Sequence, residues 1–407
     1  MGNSIYPVPS AGASYSSQPP ASASSVLLDG QLVTASLIST TVTGTGAPWL
    51  LYANGAGTTT ITIAGTPYTV TAGSTVGTSA YTGSQSVSVA ATISSTAPAT
   101  FTSSTMPSGG SSAGWNSVTY GNGYYVAVAY GTTAGAYSTN GTTWTASTMP
   151  SASGWSAVTY WNGYYVAVAN GPTTAGAYSS NGTTWTASTM PSSSQWSSVT
   201  YGNGYYVAVQ QSGTSAGAYS TNGTTWSAST MPSASSWTAV TYGNGYFVAV
   251  QQSGTTAGAY STNGTTWTAS TMPSGGSTNG WSGVTYGNGY FVAISGNIYN
   301  TTAGAYSTNG STWTASTMPS SSDWSNVTYG NGYFVAVAYN TTAGAYSTNG
   351  TTWTASTLPS SSYWTSVTYG NGYFVAVQGS GTTAGAYYSF PPLPVAYGIY
   401  NGATVRA

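Results

Sequence analysis

The chain has 407 residues, and three of them are charged: Asp29, Asp323 and Arg406. An ordinary soluble domain is roughly 25% charged, and this one also lacks Glu, Lys, His and Cys altogether. The composition withdraws the groups that general acid–base catalysis, Ser–His–Asp relays, cysteine nucleophiles and His/Cys zinc sites use. A single Arg cannot displace the counterions of a nucleic acid.

The expectation is therefore a protein that is not an enzyme, with no catalytic residue, metal, cofactor or nucleic-acid partner. Disorder, the other reading of a Gly-, Ser- and Thr-rich chain, requires few aromatic residues. Here 15 Trp, 36 Tyr and 6 Phe recur at regular positions.

Residues 1–24 are Ser-, Pro- and Ala-rich and read as an extended N-terminal arm. The opening MGNSIYPVPSAG has no basic region and no continuous apolar region, so a secretory signal is not expected. Its start resembles a myristoylation site except at Tyr6, where Ser or Thr is required. No apolar run approaches eighteen residues, so no membrane insertion is expected. Residues 25–94 carry β-type segments such as TTTITIAG and PYTVTAG, with turn signals at Asn54-Gly55 and Ala64-Gly65. They read as a small β module, with virion anchoring as a candidate role.

From Trp115 the chain repeats itself seven times, led by Trp115, Trp155, Trp196, Trp237, Trp281, Trp324 and Trp364. Each unit of about forty residues reads W-S-x-V-T-Y-G-N-G-Y-F-V-A-V, a variable stretch, then A-G-A-Y-S-T-N-G-T-T-W-T-A-S-T-M-P-S. Two Asn-Gly pairs per unit, Asn122-Gly123 and Asn140-Gly141 in the first, stand between alternating apolar runs. Both favour type I′ hairpin turns, giving four strands per unit. Repeats of this length and composition predict a β-propeller.

The seventh unit stops after its third strand, at Tyr387-Tyr388-Ser389-Phe390. Upstream, residues 95–107 (STAPATFTSSTMP) align with STNGTTWTASTMP, with Phe101 in the tryptophan position. The expected fold is an all-β, seven-bladed propeller of four-stranded blades over residues 95–390, closed by that N-terminal strand and preceded by the β module. A degenerate eighth repeat is the alternative reading of 95–107. The tail 391–407 is too short for a domain and could dock as a strand.

The S-T-N-G-T-T-W segment resembles the Asp-box hairpin of sialidase-like and BNR-repeat propellers, roughly S-x-D-x-G-x-T-W. Asn140, Asn181, Asn222, Asn263, Asn309 and Asn349 stand where that family carries Asp. Either side chain can make an Asx turn. The family's activity also needs an arginine cluster and a Tyr/Glu pair, which this chain cannot assemble. The whole repeat is similar to those of bacteriophage tail-associated and fibre proteins, a resemblance that implies a virion setting.

Drift between repeats is confined to two connections, from second to third strand and from fourth to the next first strand. In an antiparallel meander these emerge at one end of the blade, opposite the Asn-Gly turns. Loops on a rigid scaffold carry function, and these offer Tyr130, Gln195, Gln210, Gln211, Gln251, Gln252, Asn297, Tyr299, Tyr339 and Tyr363. Amides and rings of this kind suit a neutral cell-surface glycan, although loops also drift where nothing constrains them. Asp323 reads as a solvated loop residue.

The expected function is a non-enzymatic phage structural protein of the tail, fibre or surface-display kind. It would contact other virion proteins through its N-terminal region, attach to the host through the propeller and be compatible with homo-oligomers. The alternative is a secreted or surface lectin acting alone.

Overall fold

The second strand of each repeat shows how the sequence sets the packing. In Y-Y-V-A-V the valines Val126 and Val128 point to one side, while Tyr125, Ala127 and Ala129 point to the other, and all five are fully buried. A strand buried on both faces must lie inside a stack of sheets. The computed structural model describes residues 36–54, 58–71, 75–92, 97–108, 114–252, 256–274, 280–296, 300–379, 383–390 and 396–400. The predicted arm, 1–24, lies outside the described residues.

The chain forms two units, Ala97–Ser389 and a second made of Met1–Thr96 with Phe390–Ala407. In the second unit, strands Ser36–Asn54, Thr58–Ile63, Thr66–Thr71 and Thr75–Thr92 form one sheet with Ala396–Tyr400. The tail strand pairs antiparallel with residues 50–54. Ala64-Gly65 makes the expected tight turn, with φ of 49° and 85°.

In the larger unit the repeats fold as antiparallel four-stranded blades, all-β and propeller-like. The third repeat shows it plainly: Trp196–Gly202, Tyr205–Gln210, Ala216–Ser220 and Ser227–Thr230 pair in chain order. The fourth repeat repeats this pattern. The first and second repeats merge into one six-stranded sheet, the fifth and sixth into one of seven strands.

Merging follows from the connections. In the first, second, fifth and sixth repeats the first threonine of the Thr-Thr pair beside Ala-Gly pairs with a serine of the next connection, and strands run on. Tyr124–Ser138 thus spans what the sequence divides into second and third strands, and Thr145–Trp161 joins one repeat to the next. In the fourth repeat, with the same pair, the third strand begins at Ala257. In the third repeat Gln210 replaces the alanine of the first and folds onto its own loop. Its Nε2 donates to Thr214 O at 2.6 Å and Thr214 Oγ1 at 2.8 Å, and Ser212 Oγ donates to its Oε1.

Residues 102–105, from the N-terminal side, pair with 384–387, the third strand of the last repeat. Phe101 and Met106 are buried. Met106 packs with Trp115, Tyr125, Val375 and Val377, as Met149 packs with Val126, Val128, Trp155 and Tyr165. The core thus lies between neighbouring repeats. Parallel bridges tie each outer strand to the following turn: Thr105–Thr143, Thr148–Thr184, Thr189–Thr225, Thr230–Thr266, Thr271–Thr312, Thr317–Thr352 and Thr100–Thr357.

The two Asn-Gly turns differ, which corrects the expectation of two type I′ turns. At the first, Asn122 (φ 45°) and Gly123 (φ 81°) are both left-handed, as in every repeat. At the second only the glycine is, Gly141 having φ 73°. There Asn140 works through its side chain: Oδ1 accepts from Thr142 N at 3.0 Å and Thr143 N at 2.9 Å. Ser138 Oγ accepts from Gly141 N at 2.9 Å, and the Trp144 indole donates to Gly141 O at 3.2 Å. The Asx turn expected of the Asp-box-like segment is present. Among the described residues no helix is long and apolar enough to cross a membrane.

Candidate functional site

The first strand of each repeat has one edge with no strand beside it, and these edges face a common cavity of about 1010 Å³. An exposed edge invites pairing with other chains. Here side chains cover it. The residue after each leading tryptophan donates to the tryptophan carbonyl of the following repeat: Ser156 Oγ to Trp196 O, Ser197 Oγ to Trp237 O and Thr238 Oγ1 to Trp281 O, each at 2.6 Å. Ser282 Oγ to Trp324 O and Ser325 Oγ to Trp364 O continue it at 2.5 and 2.6 Å. Thr365 Oγ1 reaches Trp115 O at 2.7 Å, and Asn116 Nδ2 reaches Trp155 O at 3.4 Å. One residue on, Ser117, Ser198, Asn326 and Ser366 accept from the backbone N–H of Val158, Val240, Val367 and Val118. The wall is polar and neutral.

The cavity mouth is set by pairs of backbone positions drawn from the two variable connections. Gln211 N donates to Gln195 O at 2.9 Å, Tyr130 N to Gly114 O at 3.1 Å, Gln252 N to Ser236 O at 2.9 Å and Gly379 N to Tyr363 O at 2.8 Å. Gly154 pairs with Asn170 and Asp323 with Tyr339 across adjacent strands. Each mouth side chain is thus carried by a fixed backbone. Several partners must be small: a Cβ on Gly114 would overlap the Gly379 backbone, and one on Gly280 would overlap Gln252.

Of the ten sequence candidates, Tyr130, Gln195, Gln211, Gln252, Tyr339 and Tyr363 line this cavity together. Tyr130 and Tyr363 are about half exposed, at 49% and 46%. The Tyr339 and Tyr363 rings meet edge to face at 5.9 Å. Gln210 and Gln251 correct the expectation that they lie on the surface: both are fully buried, because they occupy the inward position that Ala129 and Ala169 fill elsewhere. Asn297 and Tyr299 lie outside the described residues.

The structure adds Asn170 and Asp323. Asn170 stands at the register position of Tyr130 and Gln211, a signal available by counting from the tryptophan. Asp323 was read as a solvated loop residue; it is half-buried and lines the cavity. Burial first, and then the Asp323 charge, raise the Tyr339 phenol above the ordinary tyrosine value, so it stays a neutral hydrogen-bonding group. The mouth can offer amide, phenol and one carboxylate to a ligand, over a bed of hydroxyls.

No protein-family description matches this sequence, and no curated protein matches it. Solved structures do match in shape. A catalytically inactive virginiamycin B lyase from Staphylococcus aureus with quinupristin aligns at a TM-score of 0.61 and 13% identity, over 70% of this chain and 99% of that one. YCF48 bound to D1 peptide aligns at 0.56 and 13%, over 72% and 96%. YCF48 from Cyanidioschyzon merolae aligns at 0.54 and 12%, over 71% and 98%. At these identities the likeness carries the fold alone, an all-β propeller with four-stranded blades. It also corrects one expectation. The sequence reading ruled out an enzyme, yet a lyase stands among the proteins of this shape, so the architecture is one that hosts catalysis.

Proposed function

We propose that this chain is a structural component of a bacteriophage virion, of the tail, fibre or surface-display kind, whose propeller head attaches to neutral glycan. The head is read as seven four-stranded blades, the last completed by residues 102–105. Pairing of that segment with 384–387 supports the closure. So do the bonds and bridges that pass from each repeat to the next, the step from Thr365 to Trp115 included. The similarity of the repeat to those of phage tail-associated proteins supports the virion setting. Anchoring on other virion proteins is assigned to the unit formed by the flanking residues.

The observation that carries the attachment role is the cavity mouth. Phenol rings and amides converge from the connections that vary between repeats, on backbones pinned by hydrogen bonds, with Asp323 the one charge among the lining residues. A pocket of about 300–1,000 Å³ with a few convergent polar groups is the usual form of a ligand site. Preorganised side chains lose little entropy on binding. A neutral polyhydroxyl ligand fits this lining, whereas an anionic polymer meets no cation.

An array of neutral and anionic oligosaccharides, probed with the purified full chain, tests the reading. Neutral glycan binding that falls at least tenfold in Tyr363→Ala and in Gln211→Ala, with unchanged melting, is the expected result. Selective capture of anionic glycans, or binding indifferent to both substitutions, overturns it.

A further inference from the structure

One repeat breaks the pattern on the turn end of the sheets, away from the cavity mouth. Six repeats carry glycine just before the first Asn-Gly pair, at Gly121, Gly202, Gly243, Gly287, Gly330 and Gly370, and the second carries Trp161. The glycine has a packing reason. A Cβ on Gly121 would overlap the ring of Tyr160 from the next repeat, and the other five meet the corresponding tyrosine in the same way. Trp161 therefore occupies a site where the fold asks for no side chain.

The surroundings have adapted to it. Tyr201, the ring that would lie on a glycine here, stacks on the Trp161 indole at 5.1 Å and 18°. Its contact with Tyr206 is edge-on at 67°, where Tyr120–Tyr125 and Tyr160–Tyr165 are tilted by 54° and 53°. The backbone role of the position is untouched, since Tyr206 Oη donates to Trp161 O at 2.6 Å as Tyr165 donates to Gly121 O. Nothing in the core uses the indole. It is 53% exposed, and Tyr164 beside it is exposed as well. Asn162 is exposed and its amide makes no hydrogen bond. Of its six equivalents, Asn203, Asn244 and Asn288 donate to the carbonyls of Thr262, Thr308 and Thr348, while Asn122, Asn331 and Asn371 share with Asn162 an amide that bonds no other described residue.

We propose that Trp161, stacked on Tyr201 and flanked by Asn162 and Tyr164, is a second binding platform that takes a pyranose ring of a neutral glycan. A pyranose presents an apolar C–H face to a flat ring system and hydroxyls along its edge. The stacked pair supplies the flat area and the unengaged amide supplies both a donor and an acceptor. Nucleobases also stack on exposed rings, but they bring phosphates, and no Lys or Arg is present in the repeats to meet them. The site shares no residue with the cavity mouth, so it stands or falls separately from the attachment reading.

Trp161 is the exposed tryptophan among those whose side chains are described, the others being 9% exposed or less. The full chain is titrated with cellohexaose, maltohexaose, mannohexaose and chitohexaose while emission and acrylamide quenching are recorded. At least one sugar should shift the emission to the blue and protect it from quenching. In Trp161→Gly, which restores the residue of the six sister repeats, that response should vanish and affinity fall at least tenfold with no loss of melting temperature. Trp161→Tyr should restore part of the affinity, and Tyr363→Ala should leave the Trp161 response intact. The proposal is overturned if none of the four sugars perturbs the emission, if Trp161→Gly binds like the parent, or if a proline-rich peptide protects the indole and the sugars do not.

Discussion

The proposed closure of the ring can be tested by comparing two methionines that hold equivalent positions on opposite sides of the first repeat. Met149 ends the fourth strand of the first repeat and is 1% exposed; Met106 follows the N-terminal strand and is 2% exposed. Each fills the gap between two repeats, against a leading tryptophan and a pair of valines. Truncating a buried Met to Ala costs about 2–5 kcal/mol. For a unit the size of 97–389, roughly 2 °C of melting temperature accompanies each kcal/mol, so Met106→Ala should lower the transition by about 4–10 °C. Met149→Ala should lower it equally, to within about 1 kcal/mol, because the environments match. Near-ultraviolet circular dichroism during thermal unfolding reads both, since the aromatic core reports the transition. If Met106→Ala melts within about 1 °C of the parent while Met149→Ala loses several degrees, the N-terminal segment is an ornament on the sheet and the ring does not depend on it.

Alkaline pH should weaken the fold through Tyr125, Tyr165 and Tyr206, whose phenols are raised well above the ordinary value by burial first and then by neighbouring tyrosines. A folded-state pKa raised above the unfolded value leaves stability intact below about pH 10 and removes it as pH climbs from there towards the folded value, by about 1.4 kcal/mol per pH unit for each phenol. Urea midpoints between pH 8 and 11.5 measure this. The triple Tyr→Phe variant, matching Phe247, Phe291, Phe334 and Phe374 of the other repeats, should flatten the slope; an unchanged slope refutes the assignment. Melting between 0.05 and 0.5 M NaCl should move by less than about 1 °C, since screening acts on charges and the chain has three; a shift of several degrees would contradict that. The two Asn-Gly turns should respond oppositely to substitution. Asn244→Gly should be tolerated, because the turn requires positive φ, whereas Asn263→Gly should cost about 1 kcal/mol by removing the acceptor for Thr265 N and Thr266 N. Asn263→Asp should retain stability, and equal costs at both positions in denaturant titrations would refute the distinction.

The period of the repeat and its Asn-Gly pairs made the four-stranded propeller blades legible, because turn chemistry is local and each pair sits between runs whose alternation marks strands. The difference between the two turns was hidden, since the same dipeptide serves one turn through its backbone and the other through its side chain. Strand fusion was hidden as well: the same Thr-Thr pair stands before Ala-Gly in repeats whose strands stay separate, yet in others its first threonine pairs with serines such as Ser194 and Ser322 and prolongs the strand. At the cavity mouth, residue type alone could not separate Gln210 from Gln211. Adjacent residues in a strand face opposite ways, and register against the small residues Ala129 and Ala169 would have assigned Gln210 to the interior. Asp323 was discounted because a lone carboxylate in a connection is usually solvated, and only the assembled strands bring it beside Tyr339. The inference against catalysis failed for another reason: composition speaks about residues, while the shape belongs to a class of proteins that includes a lyase.

The near absence of charge becomes intelligible once the hydrogen bonds are followed. In most proteins charged side chains satisfy exposed backbone edges, fix loops and protect strands from pairing with other chains. In this chain serine, threonine and asparagine take over each of these tasks at short range. Ser156 and its equivalents cover the inner edges, Ser138 and Asn140 hold the outer turns, and the hydroxyls of Ser192 and Ser194 bond each other within a connection at 3.0 Å. Hydroxyls and amides do this with little desolvation penalty compared with ions. Their bonds are not screened by salt. A fold built this way leaves its cavity wall chemically quiet, and the two proposed binding sites are made of the few side chains that depart from the repeat: the mouth residues on one side, and Trp161 on the other.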